Sequence, residues 1–459
     1  MTSGPGLNAG PSSIRIAVVG GGISGLAAAH RLRRLLGDDV VIDLYEPGEP
    51  GGTLRQATVS GVTVDIGAEA FLLRRPEIID LATELGIAEH IVHPAARQPA
   101  LLAGGGLRTL PRPTLMGIPA SVDAVRDVID EADAERIRGE DARPLDWTPG
   151  EDRSIGSLVR DRLGDNVVAR SVDPMLSGVY SAGADHIGVR AALPQLAARL
   201  DAGATSLTDA VTGLLAAPTP GPVFGSLRDG GYRVLVDALL AAARPVHRPE
   251  SVTAIRRTAR GWSVEADASG DYDAVITAVS PPVAASILDG ELSRLHARIP
   301  IAQSALALLA VDPSAVLPDN SGVLVASGES LRAKAFTFTT NKWPHLAGGP
   351  QLVRCSFGRY PHTLAGVSDA ELVEQAGDDL AAVCGLVGLV APTIVDAAVQ
   401  RWTSGIPLYA PGHSDIVAAV DSSTPHGLGL AGAAYAGVGV PACVARADAV
   451  VRTLVRQLN

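Results

Sequence analysis

An α/β fold is predicted, organised around a parallel sheet that binds a dinucleotide, and three observations predict it. Residues 14–46 run strand, glycine turn, helix, strand. Short apolar strands return far downstream, around Tyr272 and Leu428, as if distant segments completed the same sheet. Between them, residues 114–214 carry Ala, Leu and Val at helical spacing, which marks an inserted helical part.

The first strand, residues 14–19, is short, apolar and β-branched, as a parallel strand buried on both faces should be. Gly20, Gly22 and Gly25 then fit G-x-G-x-x-G: the first permits the turn, the second lets backbone approach a pyrophosphate, the third lets helix and strand pack closely. A helix over residues 23–36, opening with Ile23 and Ser24, aims its free N–H groups at that pyrophosphate. Residues 40–45 form the second strand, and Glu46 at its end is placed to accept hydrogen bonds from a ribose. Gly51, Gly52 and Thr53 make a further turn, followed by a hairpin that ends in Asp65, Gly67, Ala68 and Glu69. This second glycine pattern resembles the glutathione-reductase-type FAD-binding fold, a Rossmann-type fold in which both turns would flank the flavin and its phosphates.

Residues 101–110 contain three consecutive glycines but are followed by Pro111 and Pro113, so a β-hairpin is predicted and not a second phosphate loop. No separate nicotinamide-binding domain is expected. Helices are predicted over residues 121–135, 155–163 and 167–176, with a polar loop at 141–152. Asp133, Glu135, Glu140, Asp141, Glu151 and Asp152 lie among arginines on what read as solvated turns, and no metal site is assigned to them. Residues 232–243 are helical, and residues 250–255, 262–266 and 272–278 are strands. Strands at 304–311, 335–340 and 351–357 with a helix at 369–387 make a substrate-binding sheet. The chain closes on a strand, a glycine turn from Gly432 to Gly439 and a helix over 442–458 whose bare N-terminus suits the negative charge of a reduced flavin.

Composition narrows the function. The 459 residues are too many for one ordinary core, and the 47% hydrophobic fraction supports large ones. A net charge of -11 without a basic run argues against nucleic acid. Lys334 and Lys342 are the only lysines, so nearly all positive charge is Arg. Cys355, Cys384 and Cys443 are odd in number and far apart, which excludes a disulfide framework or a zinc site. Residues 1–13 have neither a basic nor an apolar leader region, and no apolar stretch is long enough to span a bilayer, so a cytoplasmic protein with at most peripheral membrane contact is expected.

Taken together, the chain resembles the flavin-dependent protoporphyrinogen/coproporphyrinogen oxidases of haem synthesis. The residues that carry this are the Gly20–Gly25 turn, Gly67 to Phe71, Ser177 to Gly183, Gly322 to Val325, Ile406 to Tyr409 and the run from Ala431 to Cys443. The resemblance implies an FAD domain of residues 14–80, 224–299 and 400–459, a substrate-binding α+β sheet domain of 81–110 and 300–399, and a helical domain of 111–223. It implies FAD held by Gly20, Gly22, Ile23, Ser24, Gly25, Glu46, Gly52, Thr53, Gly67, Ala68, Glu69, Val252, Trp402, Gly432, Val438, Gly439 and Val440, with Gly178 beside the substrate. The implied chemistry is repeated hydride removal from a porphyrinogen by the flavin, with oxygen as electron acceptor and hydrogen peroxide as product. No catalytic side chain is needed, because the flavin is the electrophile and the product gains aromaticity. Transient contact with other enzymes of haem synthesis is also implied.

The chain departs from the family pattern at Glu49-Pro50, where many relatives carry a cation, and at Ser321, where many carry Phe. Four propionates make coproporphyrinogen the more charged substrate, which suits an Arg-rich soluble chain better than protoporphyrinogen. Arg74, Arg75 and Arg97 are the candidate propionate partners. An amine oxidase is the rival reading, against which stands Tyr435-Ala436-Gly437 where those relatives usually show W-S-G. A non-catalytic flavin-binding scaffold is the other.

Overall fold

Arg15–Val19 is the middle of a five-stranded parallel sheet whose order is Val246–Arg248, Val41–Tyr45, Arg15–Val19, Ala274–Thr277, Leu428–Leu430. This computed structural model describes residues 14–215 and 221–459. The segment 1–13, read above for leader features, lies outside the described residues.

Both faces of the sheet are covered, which is why its strands are apolar without alternation. On one face lie helices Ile23–Leu36, Tyr232–Ala243 and Val440–Leu458, burying Leu26, Leu32, Leu239 and Leu454. Each such leucine contributes about 1.5–3 kcal/mol relative to exposure. On the other face, the antiparallel strands Ala254–Thr258, Gly261–Glu265 and Gly270–Tyr272 bring Ile255, Trp262 and Val264 against Ala17, Val19 and Val275. The one charged residue of the second strand, Asp43, is buried yet satisfied: it accepts from Arg15, Arg248 and Tyr272.

A second sheet has seven strands in the order Ile394–Pro407, Ile301–Val311, Gln351–Phe357, Ala335–Phe338, Gly322–Val325, Ala100–Ala103, Gly106–Thr109. Helix Asp369–Gly385, started by a Ser368/Glu371 capping box, covers one face with Leu372, Leu380 and Val383. The predicted hairpin is the last pair, turning on Gly104 and Gly105, both at positive φ.

Short helices fill residues 131–212 and share a core of their own around Leu158, Leu163, Leu176 and Leu196. Here the prediction of one helix over 121–135 fails. Asp130 caps Asp133, so the helix starts late and runs Glu131–Arg138, after a single 3₁₀ turn at Val122–Ala124. The strand Ile394–Pro407 was not anticipated. It pairs along the whole of Ile301–Val311 and runs unbroken through residue 400, where a domain boundary was expected. Glu140 and Asp133 are buried and not on solvated turns as expected. Glu140 pairs with Arg162, and Asp133 accepts from Asn166.

Candidate active site

The glycine turn meets the Gly51-Gly52 turn at the C-terminal end of the central strands. Gly51 donates to the Gly21 carbonyl at 2.8 Å. The three motif glycines differ in what surrounds them. A Cβ at Gly25 would collide with the Gly20 carbonyl, and one at Gly20, whose φ is +104°, would stand 2.8 Å from the Ala278 oxygen. A Cβ at Gly22 would meet only the Gly52 Cα at 3.7 Å and would otherwise enter a cavity. No side chain caps the helix that follows, so its first N–H groups are left for a ligand.

The cavity encloses about 770 Å³, within the range of small-molecule sites. Glu46 lines it, but both its carboxylate oxygens already accept from backbone, Oε2 from Gly21 at 2.9 Å and Oε1 from Gly48 at 3.1 Å. Its first task is therefore to hold the turn in shape. Thr53, Gly67, Ala68 and Glu69 continue the wall. A Cβ at Gly67 would collide with the Thr53 carbonyl, so that glycine is required where two backbones pass.

Glu69 gathers two cations, the half-buried Lys342 at 2.8 Å and the buried Arg354 at 3.3 Å. Burial alone would push its carboxyl up, but Lys342 and then Arg354 outweigh that and hold it at about 2. Arg354 also donates to the Ile66 and Gly67 carbonyls, which ties the seven-stranded sheet to the flavin-type turn.

The C-terminal glycine turn closes another side with Gly432, Val438, Gly439 and Val440. Tyr409 pins it, donating to the Ala433 carbonyl and accepting from the Gly437 N–H, each at 2.7 Å. His413 stacks on Tyr409 and pairs with the Ala434 carbonyl at 2.8 Å, a structural role in a buried position. Gly439 leads into Val440–Leu458 with no side-chain cap, a second bare helix N-terminus at the cavity. Gly178, on helix Asp173–Tyr180, faces the same space with Val179, Ser181, Leu324, Lys334, Thr337 and Trp402.

Five expected site residues lie elsewhere. Gly25 is under the helix, as its packing requires. Val252 is half-buried against the core between the parallel sheet and the small antiparallel one, and the strand predicted to include it begins later, at Ala254. Arg74 and Arg75 are exposed at the start of helix Pro76–Glu84, where Arg75 pairs with Glu77, and Arg97 pairs with Asp319 on the surface. None of the three arginines lines the cavity. The cations that do are Lys334 and Arg354, and the scarcity of lysine was the one signal that could have marked the first.

A site of two bare helix ends, an open glycine cradle and a ring of turns is what a flavin dinucleotide requires. The model of the flavin-containing amine oxidoreductases matches residues 23–454. The chain belongs to this family. Its members use a flavin, and the chain is a flavin oxidoreductase. Among its relatives is the coproporphyrinogen III oxidase of Mycobacterium leprae, 46% identical over 95% of this chain and 97% of that protein. The human protoporphyrinogen oxidase is 26% identical over 94% and 96%. A crystal structure of a protoporphyrinogen-oxidase-like protein from Exiguobacterium sp. 255-15 superimposes with a TM-score of 0.85 at 29% identity, covering 98% of this chain and 100% of that one. No helix among the described residues is long and apolar enough to cross a membrane.

Proposed function

We infer that this chain oxidises coproporphyrinogen III to coproporphyrin III with bound FAD, in haem biosynthesis, and that oxygen takes the electrons and becomes hydrogen peroxide. One observation carries the reading: a single cavity joins the glycine cradle of the parallel sheet to Gly178 and the inner face of the seven-stranded sheet. A dinucleotide and a tetrapyrrole can thus meet in one cavity. The near-full-length likeness to the mycobacterial coproporphyrinogen III oxidase, against the more distant human protoporphyrinogen oxidase, supports the substrate. The three-part division of the chain into FAD, sheet and helical domains belongs to this proposal.

FAD supplies the hydride acceptor when bound. The protein's part is to hold and exclude. Gly20, Gly22 and Ser24 offer backbone to the pyrophosphate, and Gly52, Thr53, Gly67 and Ala68 would lie along the remainder of the cofactor. The N-terminus of Val440–Leu458 favours negative charge on its ring. Val438, Val440, Trp402 and Leu324 keep water from the reacting carbon.

The test is turnover of coproporphyrinogen III and protoporphyrinogen IX, prepared anaerobically, dispersed in detergent and followed by porphyrin fluorescence. The expected result is the higher kcat/KM for coproporphyrinogen III. Equal or better use of protoporphyrinogen rejects the substrate.

A second expectation concerns Glu46. Glu46→Ala removes the acceptor that shapes the Gly21 and Gly48 backbone. FAD retention should weaken by about 1–3 kcal/mol, the worth of charge-assisted hydrogen bonds. Fluorescence titration of the apoprotein measures it, and an unchanged affinity would show that the turn keeps its shape unaided.

A further inference from the structure

Resting on the reading of the cavity as a tetrapyrrole site, we propose that the Lys334 ammonium receives one propionate of the substrate and thereby sets the preference for the more carboxylated porphyrinogen.

The position is built, not incidental. The backbone of Lys334 is fixed on both sides in the seven-stranded sheet: its N–H donates to the Ser356 carbonyl at 2.8 Å and its carbonyl accepts from Val325 at 3.1 Å. The side chain is 5% exposed and lines the cavity. Its Nζ donates to Ser181 Oγ at 2.6 Å and to the Gly358 carbonyl at 2.7 Å. Protonated, it has three N–H donors, and among the described residues one of them is left without a protein acceptor.

The other cations at this end are linked to a carboxylate, although Arg354 Nε itself makes no hydrogen bond. Arg354 and Lys342 share Glu69. Arg359 donates to Ser327 Oγ at 2.7 Å, and Ser327 passes the interaction on to Asp173 at 2.6 Å. Among the described residues no carboxylate acts on Lys334, and the charge that does is Arg359, a second cation. Burial, and then Arg359, push its amine down to about 7. A buried cation without a counter-ion is costly, and a carboxylate that enters beside it removes that cost.

Composition points the same way. Lys and Arg together number 38, and only two are lysines. The slot at Lys334 offers two protein acceptors beside the cavity, which suits the three donors of an ammonium better than the five of a guanidinium. Gly178 and Ser181 come from the segment that faces the substrate in the reading above, so the bond to Ser181 ties the ammonium to that segment. Coproporphyrinogen carries propionates at four places, protoporphyrinogen at two. A fixed cation is met by a carboxylate in more orientations of the first.

The experiment compares coproporphyrin III with its tetramethyl ester, which has the same ring and no charge. Binding to the FAD-loaded wild type, Lys334→Met and Lys334→Gln is followed by porphyrin fluorescence, together with kcat and KM for coproporphyrinogen III. Lys334→Met should weaken the tetra-acid about 10- to 100-fold, the range for a hydrogen bond to a charged group. The ester should shift less than about twofold, and KM should rise while kcat stays near wild type. Equal losses for acid and ester, or a fall in kcat at constant KM, would overturn the proposal. If Lys334→Met does not take up flavin, Lys334→Gln, which keeps a polar donor without the charge, is judged by the same criteria. A wild type that binds acid and ester equally overturns the assignment whatever the variants do. Such a wild type that still oxidises coproporphyrinogen III leaves the functional reading standing, whereas one that oxidises neither porphyrinogen removes the reading on which Lys334 rests.

Discussion

Gly22→Val is expected to give a folded protein that carries no FAD. The argument rests on the contrast among the three motif glycines. At Gly25 and Gly20 an added Cβ runs into backbone oxygen of Gly20 and Ala278, so bulk there attacks the packing of helix on strand. At Gly22 it meets nothing nearer than the Gly52 Cα at 3.7 Å, and the two further methyl groups of valine would project into the cavity. Position 22 is also extended, with φ of -72° and ψ of 178°, a conformation that valine favours. The fold should therefore accept the substitution while the pyrophosphate loses its approach to the backbone. The purified variant should be colourless, with far-UV circular dichroism like wild type, whereas Gly25→Val should fail to accumulate as folded protein. A yellow Gly22→Val protein with wild-type flavin stoichiometry would place the pyrophosphate elsewhere.

What was legible in the sequence was what is local. The helix Ile23–Leu36 and strands Arg15–Val19 and Gln351–Phe357 follow from apolar runs bounded by glycine or polar residues, and the structure has them at or near the expected residues. Strand Ile394–Pro407 escaped because it is an edge strand, half-exposed for most of its length and interrupted by Asp396, Gln400 and Arg401, so neither alternation nor an apolar run betrays it. The site divides in the same way. Glycines announce themselves by spacing, but the cations facing the cavity are placed by strand pairing across long distances. Ser181 and Lys334 are 153 residues apart, and nothing near either one points to the other. Of the candidate propionate partners, Arg75 and Arg97 spend their charge on Glu77 and Asp319.

Glu140 shows the cost of reading charge as exposure, and it supplies a large expected loss of stability. Its side chain is fully buried, pairs with Arg162 Nε at 3.1 Å, and accepts from the Leu207 N–H at 2.6 Å and from the Thr208 N–H and hydroxyl at 3.0 and 2.6 Å. Arg162 spends its other donors on the carbonyls of Glu140, Arg143 and Pro144. One carboxylate thus joins helix Ile155–Leu163 to the N-terminus of Leu207–Thr212, with every partner satisfied. Glu140→Ala removes the acceptor of a buried guanidinium and of two helix N–H groups at once, and the expected loss is about 3–5 kcal/mol. Replacing both charges, Glu140→Leu with Arg162→Met, should recover part of it, because the uncompensated charge and not the missing attraction dominates the penalty. Urea unfolding of the three proteins, followed by tryptophan fluorescence, measures both numbers. Trp147, half-buried against the helical core and donating to Asp201 at 2.9 Å, is a reporter. A single variant that loses less than about 1 kcal/mol would mean that water reaches Arg162 and that the pair is not the tie described, since solvated ion pairs contribute no more than that.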